Sequence, residues 1–241
     1  MSTLETNHAI ATVSYDTFLN GFDWRQGEHI TLVGTTGCGK TTLENSIEHM
    51  RDYVMFLSTK PQDETQEELG PLGYHTAKSV KDVVLDVSHK WVIAPGVPRK
   101  MEPDQIKEHQ RKIFGDAMMY CFHQTGWTVI IDEGRYICDV LQLKQPATVL
   151  YLQGRSGYNS VVMGTQRPRW VPLESFDAAT HLFIWRDNDA NNIQRIGELT
   201  GMNYHEVEPI VKSLEMKIGE GGQFLYYNTR TGDMMISKVI V

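Results

Sequence analysis

Short apolar runs alternate with amphipathic stretches along most of the chain. Residues 30–33, 54–57, 91–94, 129–131, 161–163 and 182–185 have the length of strands and are apolar but for Thr31, without the polar alternation of a strand with one wet face. Between them, spaced apolar positions predict helices at 41–51, 79–87, 103–123, 136–142 and 190–199, with Pro103 suited to a first turn. Strands buried on both faces and separated by helices imply a parallel sheet covered on both sides, so the expected class is α/β. The style changes after residue 200. A C-terminal helix is expected there, and 223–228 and 234–239 flank Thr229-Arg230-Thr231-Gly232-Asp233 as a β-hairpin would. The hairpin's aromatic and Met content suits packing on the domain, or docking of a neighbouring subunit.

A length of 241 residues suffices for one large domain, with a core over about 27–200 and an appended helix and hairpin over 203–241. The chain has no apolar run long enough to span a bilayer, and its first residues lack the basic start and apolar core of a signal peptide, so no membrane partner and a cytoplasmic location are expected. The three cysteines form no C-x-x-C pair, so neither a disulfide framework nor a zinc site is indicated; Cys121 and His123 could in principle start a metal site, but no second pair follows and they read as buried helix residues. The acidic stretch 63–68 reads as a solvated loop or helix face. A net charge of −7 argues against coating nucleic acid over the whole surface, yet permits a basic strip in a channel.

Chemistry enters with Gly34-Thr35-Thr36-Gly37-Cys38-Gly39-Lys40-Thr41, a complete G-x-x-x-x-G-K-[ST] loop between a predicted strand and a predicted helix. A phosphate chain needs converging N–H donors, and glycines let the backbone approach without a Cβ in the way. Lys40 is expected to reach the β- and γ-phosphates, Thr41 to ligand Mg²⁺, and Thr42 to touch the α-phosphate of ATP. Cys38, beside a helix N-terminus and Lys40, is expected to have a lowered thiol pKa and to react with maleimide. The run 127–131 ends in Asp132-Glu133: Asp132 would hold Mg²⁺ through water, and Glu133 would orient or deprotonate the attacking water. A carboxylate pair, as opposed to a lone Asp, favours a sheet with an additional strand beside the phosphate-loop strand, and points to hydrolysis.

Downstream, Gly154-Arg155-Ser156-Gly157 precedes a strand that runs into Thr165-Gln166-Arg167-Pro168. From about residue 31 to residue 168 the chain resembles the FtsK–HerA superfamily of ring-forming DNA-pumping ATPases, which carry a T-G-x-G-K-[ST] loop, a D-E pair, an R-x-x-G element and a strand ending in T-Q-R-P. The resemblance implies that Gln166 senses the γ-phosphate and that Arg155 is an arginine finger reaching a neighbouring subunit's nucleotide, with Arg135, Arg167 and Arg195 as competitors for that role. It implies a pentameric or hexameric ring acting on DNA, double-stranded by first choice. Arg167 and Arg169, with Arg99 and Lys100, are the basic loops available to grip phosphates.

The L-S-G-G-Q signature of transporter-type ABC ATPases is absent before Asp132, where residues 116–124 stand instead. The segment after Pro168 is too short for a terminase nuclease. The compact chain resembles small bacteriophage packaging ATPases that would meet a capsid portal; conjugation-type or helicase-like translocation comes second, and an assembly ATPase of the zonula-occludens-toxin type, acting on protein, third.

Overall fold

The computed structural model describes residues 10–59, 69–98, 100–217 and 219–240. Its centre is a run of parallel strands in the order β8 (Ala179–Trp185), β2 (His29–Val33), β7 (Ser160–Thr165), β6 (Trp127–Ile131), β3 (Tyr53–Leu57), β5 (Lys90–Ile93) and β4 (His75–Ala77). The C-terminal hairpin, β10 (Gly221–Asn228) and β11 (Met234–Lys238), extends this sheet antiparallel to β8, and β1 (Ala11–Thr12) closes the edge on β11. A short strand, β9 (Met216–Lys217), pairs with the start of β10. β7 separates β2 from β6, which is the additional-strand arrangement expected of the carboxylate pair.

Burial explains the uninterrupted apolar runs: every residue of β2, β6, β7 and β8 is buried. One face packs under α3 (Pro103–His123), α4 (Lys144–Gln153), α6 (Ala190–Thr200) and α7 (Tyr204–Ser213), which contribute Phe114, Leu150, Ile193 and Val211 to a single apolar cluster. The other face packs under α1 (Tyr15–Gly21) and α2 (Lys40–Ile47), where Phe18, Phe183 and Phe224 form edge-on aromatic contacts.

The expected helix at 79–87 is not formed. Ser79 and Asp82 cap each other's backbone around a single 3-10 turn at Val80–Asp82, and Val84, Leu85 and Val87 are left exposed, so the apolar residues have no face to bury. Residues 136–142 hold a π-helical turn at Tyr136–Val140, and α2 is continued by a 3-10 turn at Glu48–Met50. The stretch 63–68 and Arg99 lie outside the described residues.

Candidate functional site

The loop that follows β2 is wound tightly enough to require its glycines. A Cβ on Gly34 would stand 2.6 Å from Cys38 Sγ and 3.0 Å from Trp185 Cβ. Gly39 caps α2 with a left-handed φ of 104°, and a Cβ there would meet Val239 at 3.1 Å. The Lys40 ammonium reaches back across the loop and donates to the carbonyls of Gly34 (2.9 Å) and Thr35 (3.0 Å), which occupy two of its three N–H groups.

This loop opens on a cleft of about 340 Å³, lined by Thr36, Gly37, Gly39, Lys40, Thr41 and Thr42 from the loop and α2. Asp132 and Glu133 enter from the end of β6, Gln166 from the end of β7, and Gly219 from the turn after β9. Most of the predicted nucleotide residues, which are scattered over 36–166 in sequence, thus meet in one place. The donor set fits a Mg-bound triphosphate: a backbone cradle that side chains would fill, an ammonium, a hydroxyl and a carboxylate pair.

Two glycines outside the loop motif allow β6 and β7 to deliver their side chains together. A Cβ on Gly164 would lie 2.6 Å from the Asp132 carbonyl oxygen, and one on Gly134 would lie 2.8 Å from the Gly164 carbonyl oxygen and 2.5 Å from Met163 Sδ. Their signal was a glycine inside an apolar strand and another directly after the carboxylates, the usual marks of close backbone approach.

Glu44 was also missed. Its carboxyl is buried under the cleft with no hydrogen-bond partner on either oxygen among the described residues. Burial, and secondarily the Asp132 charge, push its pKa well above the carboxylate range, with Lys40 pulling the other way.

Gly34, Thr35 and Cys38 were expected to bind nucleotide, but they do not line the cleft. The Cys38 side chain points into the core, fully buried. Burial raises its thiol pKa, and the opposing pull of Lys40 does not reverse this, which corrects the expectation of a reactive thiol.

Arg155 sits in a 3-10 turn at Gly154–Gly157, at the other end of β7, beside Gly27. The six residues of β7 put it about 20 Å from Gln166, at ~3.3 Å per residue, so it does not join its own chain's cleft. Among its competitors, Arg195 pairs with Asp177 and Glu198, while Arg135 lies 5.5 Å from the Trp170 ring centroid. Arg167 and Lys100 are exposed, and Arg169 belongs to the 3-10 turn Pro168–Trp170.

A larger cavity, about 460 Å³, lies near the opposite end of the sheet, beside α1 and the hairpin turn. Its charges are satisfied internally. The Glu28 carboxylate accepts from Arg230 (2.6 Å), the Arg25 N–H (2.9 Å) and His181 Nε2 (3.0 Å), and Tyr226 OH lies 2.9 Å from His181 Nδ1. It offers no backbone cradle comparable to the phosphate loop.

No known family's sequence pattern matches this chain, and no curated protein does. Solved structures do. The genome packaging NTPase B204 from Sulfolobus turreted icosahedral virus 2, in complex with ATP-gammaS, is similar with a TM-score of 0.58 at 18% identity, over 89% of this chain and 98% of that one. VirB4 of Thermoanaerobacter pseudethanolicus is similar with a TM-score of 0.60 at 12% identity, over 88% and 89%. The monomer form of the pCW3 conjugation coupling protein TcpA with ATPgS gives 0.56 at 15%, over 89% of this chain and 60% of that one. The chain has the P-loop ATPase fold that these proteins share.

Proposed function

We propose that this protein is an ATP-hydrolysing ring motor that moves double-stranded DNA, acting in the packaging of a viral genome into a capsid. The observation that carries the reading is the convergence, across three neighbouring parallel strands, of the phosphate loop, Asp132-Glu133 and Gln166 on one cleft. That set has a part for each need of phosphoryl transfer to water. Lys40 and the loop N–H groups hold the phosphates, and Glu133 orients the attacking water and takes its proton. Gln166 bonds the water and a phosphate oxygen. Thr41 and, through water, Asp132 would hold Mg²⁺, whose contribution is to neutralise charge on the phosphates.

Arg155, remote from its own cleft, suits action on a neighbour's nucleotide, which supports a ring of pentameric or hexameric size. Similarity to the packaging NTPase favours a capsid role with a portal as partner, and similarity to TcpA and VirB4 favours conjugation-type translocation as the second reading. Among the described residues no helix is long and apolar enough to cross a membrane.

The test is ATP turnover with and without linear duplex DNA. Because the net charge is −7, contact is confined to a few basic residues such as Arg167 and Arg169, so stimulation is expected at low salt and should fade as salt rises. Substituting Arg167 or Arg169 should weaken stimulation and spare basal turnover. Turnover indifferent to both DNA and a procapsid, from a protein that stays monomeric with ATP, would replace this reading with the protein-directed ATPase.

A further inference from the structure

The cleft has one lining residue that the phosphate motifs do not supply. Gly219 stands in the turn between β9 and β10, with a left-handed φ of 82°, and the turn is closed by the Glu220 N–H donating to the Lys217 carbonyl (3.1 Å). This turn is fixed to the phosphate loop from both sides. Before it, Met216 Sδ accepts from Thr35 Oγ1 (3.4 Å); after it, Gly222 approaches so closely that a Cβ would lie 3.2 Å from the Cys38 carbonyl oxygen. The Val239 N–H donates to the Gly222 carbonyl (3.1 Å), and Val239 packs on Gly39.

Strand order gives the cleft a direction. In the sequence β10-β8-β2-β7-β6, the loop follows the middle strand, and Gln166, Asp132 and Glu133 all lie on the β7–β6 side. The hydrolysed end of a triphosphate belongs there. The remaining end, carrying ribose and base, must leave the loop toward β8 and β10, where Gly219 stands. A Cβ on Gly219 would meet nothing within 4 Å, so the turn presents bare backbone to open space.

We propose that the backbone at Gly219 is the nucleoside wall of this site, holding the ribose and base of a nucleoside triphosphate against it. The inference rests on the cleft being the triphosphate site. It makes the C-terminal hairpin part of the ligand site as well as an extension of the sheet.

The discriminating probe is inorganic tripolyphosphate, which has the phosphates and no nucleoside. Gly219→Asn tolerates a left-handed φ and adds a side chain at a residue that lines the cleft. Calorimetric titration of the full chain with Mg²⁺ present should show the variant's Kd for ATP raised about tenfold, a cost of ~1.4 kcal/mol, with its Kd for tripolyphosphate within about twofold of wild type. Unchanged ATP affinity, or equal weakening of both ligands, overturns the proposal. Should the variant fail to fold, photolabelling of the wild-type protein with 8-azido-ATP decides, since the label must fall on the segment spanning 216–222 and a label elsewhere overturns the proposal. If wild-type protein takes up neither ATP nor tripolyphosphate, the triphosphate reading of the cleft falls first.

Discussion

Replacing Gly164 by Ala tests whether the placement of β7 against β6 sets the rate of hydrolysis. The new Cβ would stand 2.6 Å from the Asp132 carbonyl oxygen and 3.3 Å from its carbonyl carbon and Cα, all of them backbone atoms that cannot rotate away. Restoring an ordinary contact of 3.4 Å takes about 0.8 Å of separation between the strand ends. That displacement falls between Gln166, two residues from the collision, and the Asp132-Glu133 pair, of which Asp132 is itself in the contact and Glu133 is the next residue. Misplacement on the order of 1 Å in a reacting constellation costs about 10²-fold in rate, and overpacking of this kind destabilises by ~1–3 kcal/mol. Gly164→Ala should therefore bind ATP within about threefold of wild type and unfold at slightly lower urea, while kcat falls about a hundredfold. The measurements are steady-state phosphate release at saturating ATP, calorimetric ATP binding and urea unfolding. A folded variant with wild-type kcat would show that the Gln166–Glu133 geometry does not limit the reaction.

Glu133→Gln should retain ATP affinity and lose hydrolysis by at least ~10²-fold, the usual worth of a general base, and wild-type turnover would remove Glu133 from that role. Arg155→Ala mixed into wild-type protein should depress turnover by more than its fraction, and strictly proportional loss would place its action within one subunit or nowhere. His29 is locked in its neutral form, Nδ1 accepting from the Val161 N–H (3.1 Å) and Nε2 3.2 Å from the Tyr151 carbonyl, and burial lowers its pKa from 6.5 to about 4. Its contribution is whole above the unfolded pKa and is lost as pH falls from 6.5 toward 4, so urea stability should drop by ~2–3 kcal/mol over that window, with a shallower drop in His29→Gln; equal slopes would contradict this. Maleimide should modify Cys38 only on the timescale of unfolding, with or without ATP, whereas rapid, ATP-protected inactivation would mean the loop opens readily.

The phosphate-loop geometry was legible because a tightly wound backbone depends on Gly34, Gly37 and Gly39, which stand with Lys40 within seven positions. The central strands were legible because burial on both faces leaves an uninterrupted apolar run. Helix 103–123 was recovered at both ends from its proline and its long periodic stretch. Residues 79–87 misled because apolar content was read as a buried face, and local capping by Ser79 and Asp82 ended the turn first. α4 escaped notice because Pro146 in its first turn and the β-branched Thr148 and Val149 dilute its pattern. Cys38 shows the limit of local reasoning. Its sequence neighbours lower a thiol's pKa, but burial in the apolar cluster it shares with residues far away in sequence, such as Trp185, reverses the outcome.

The contact of Val239 with Gly39 also bears on when the protein becomes competent during synthesis. The residues that back the loop leave the ribosome about two hundred positions after it, at 5–20 residues per second roughly ten to forty seconds later. Until then Gly39, Cys38 and the edge of β8 face solvent where Val239, Gly222 and β10 will sit. A nascent chain therefore carries its complete motif long before the strands that back it arrive, and on the proposed reading of the cleft nucleotide capture waits until the sheet has closed.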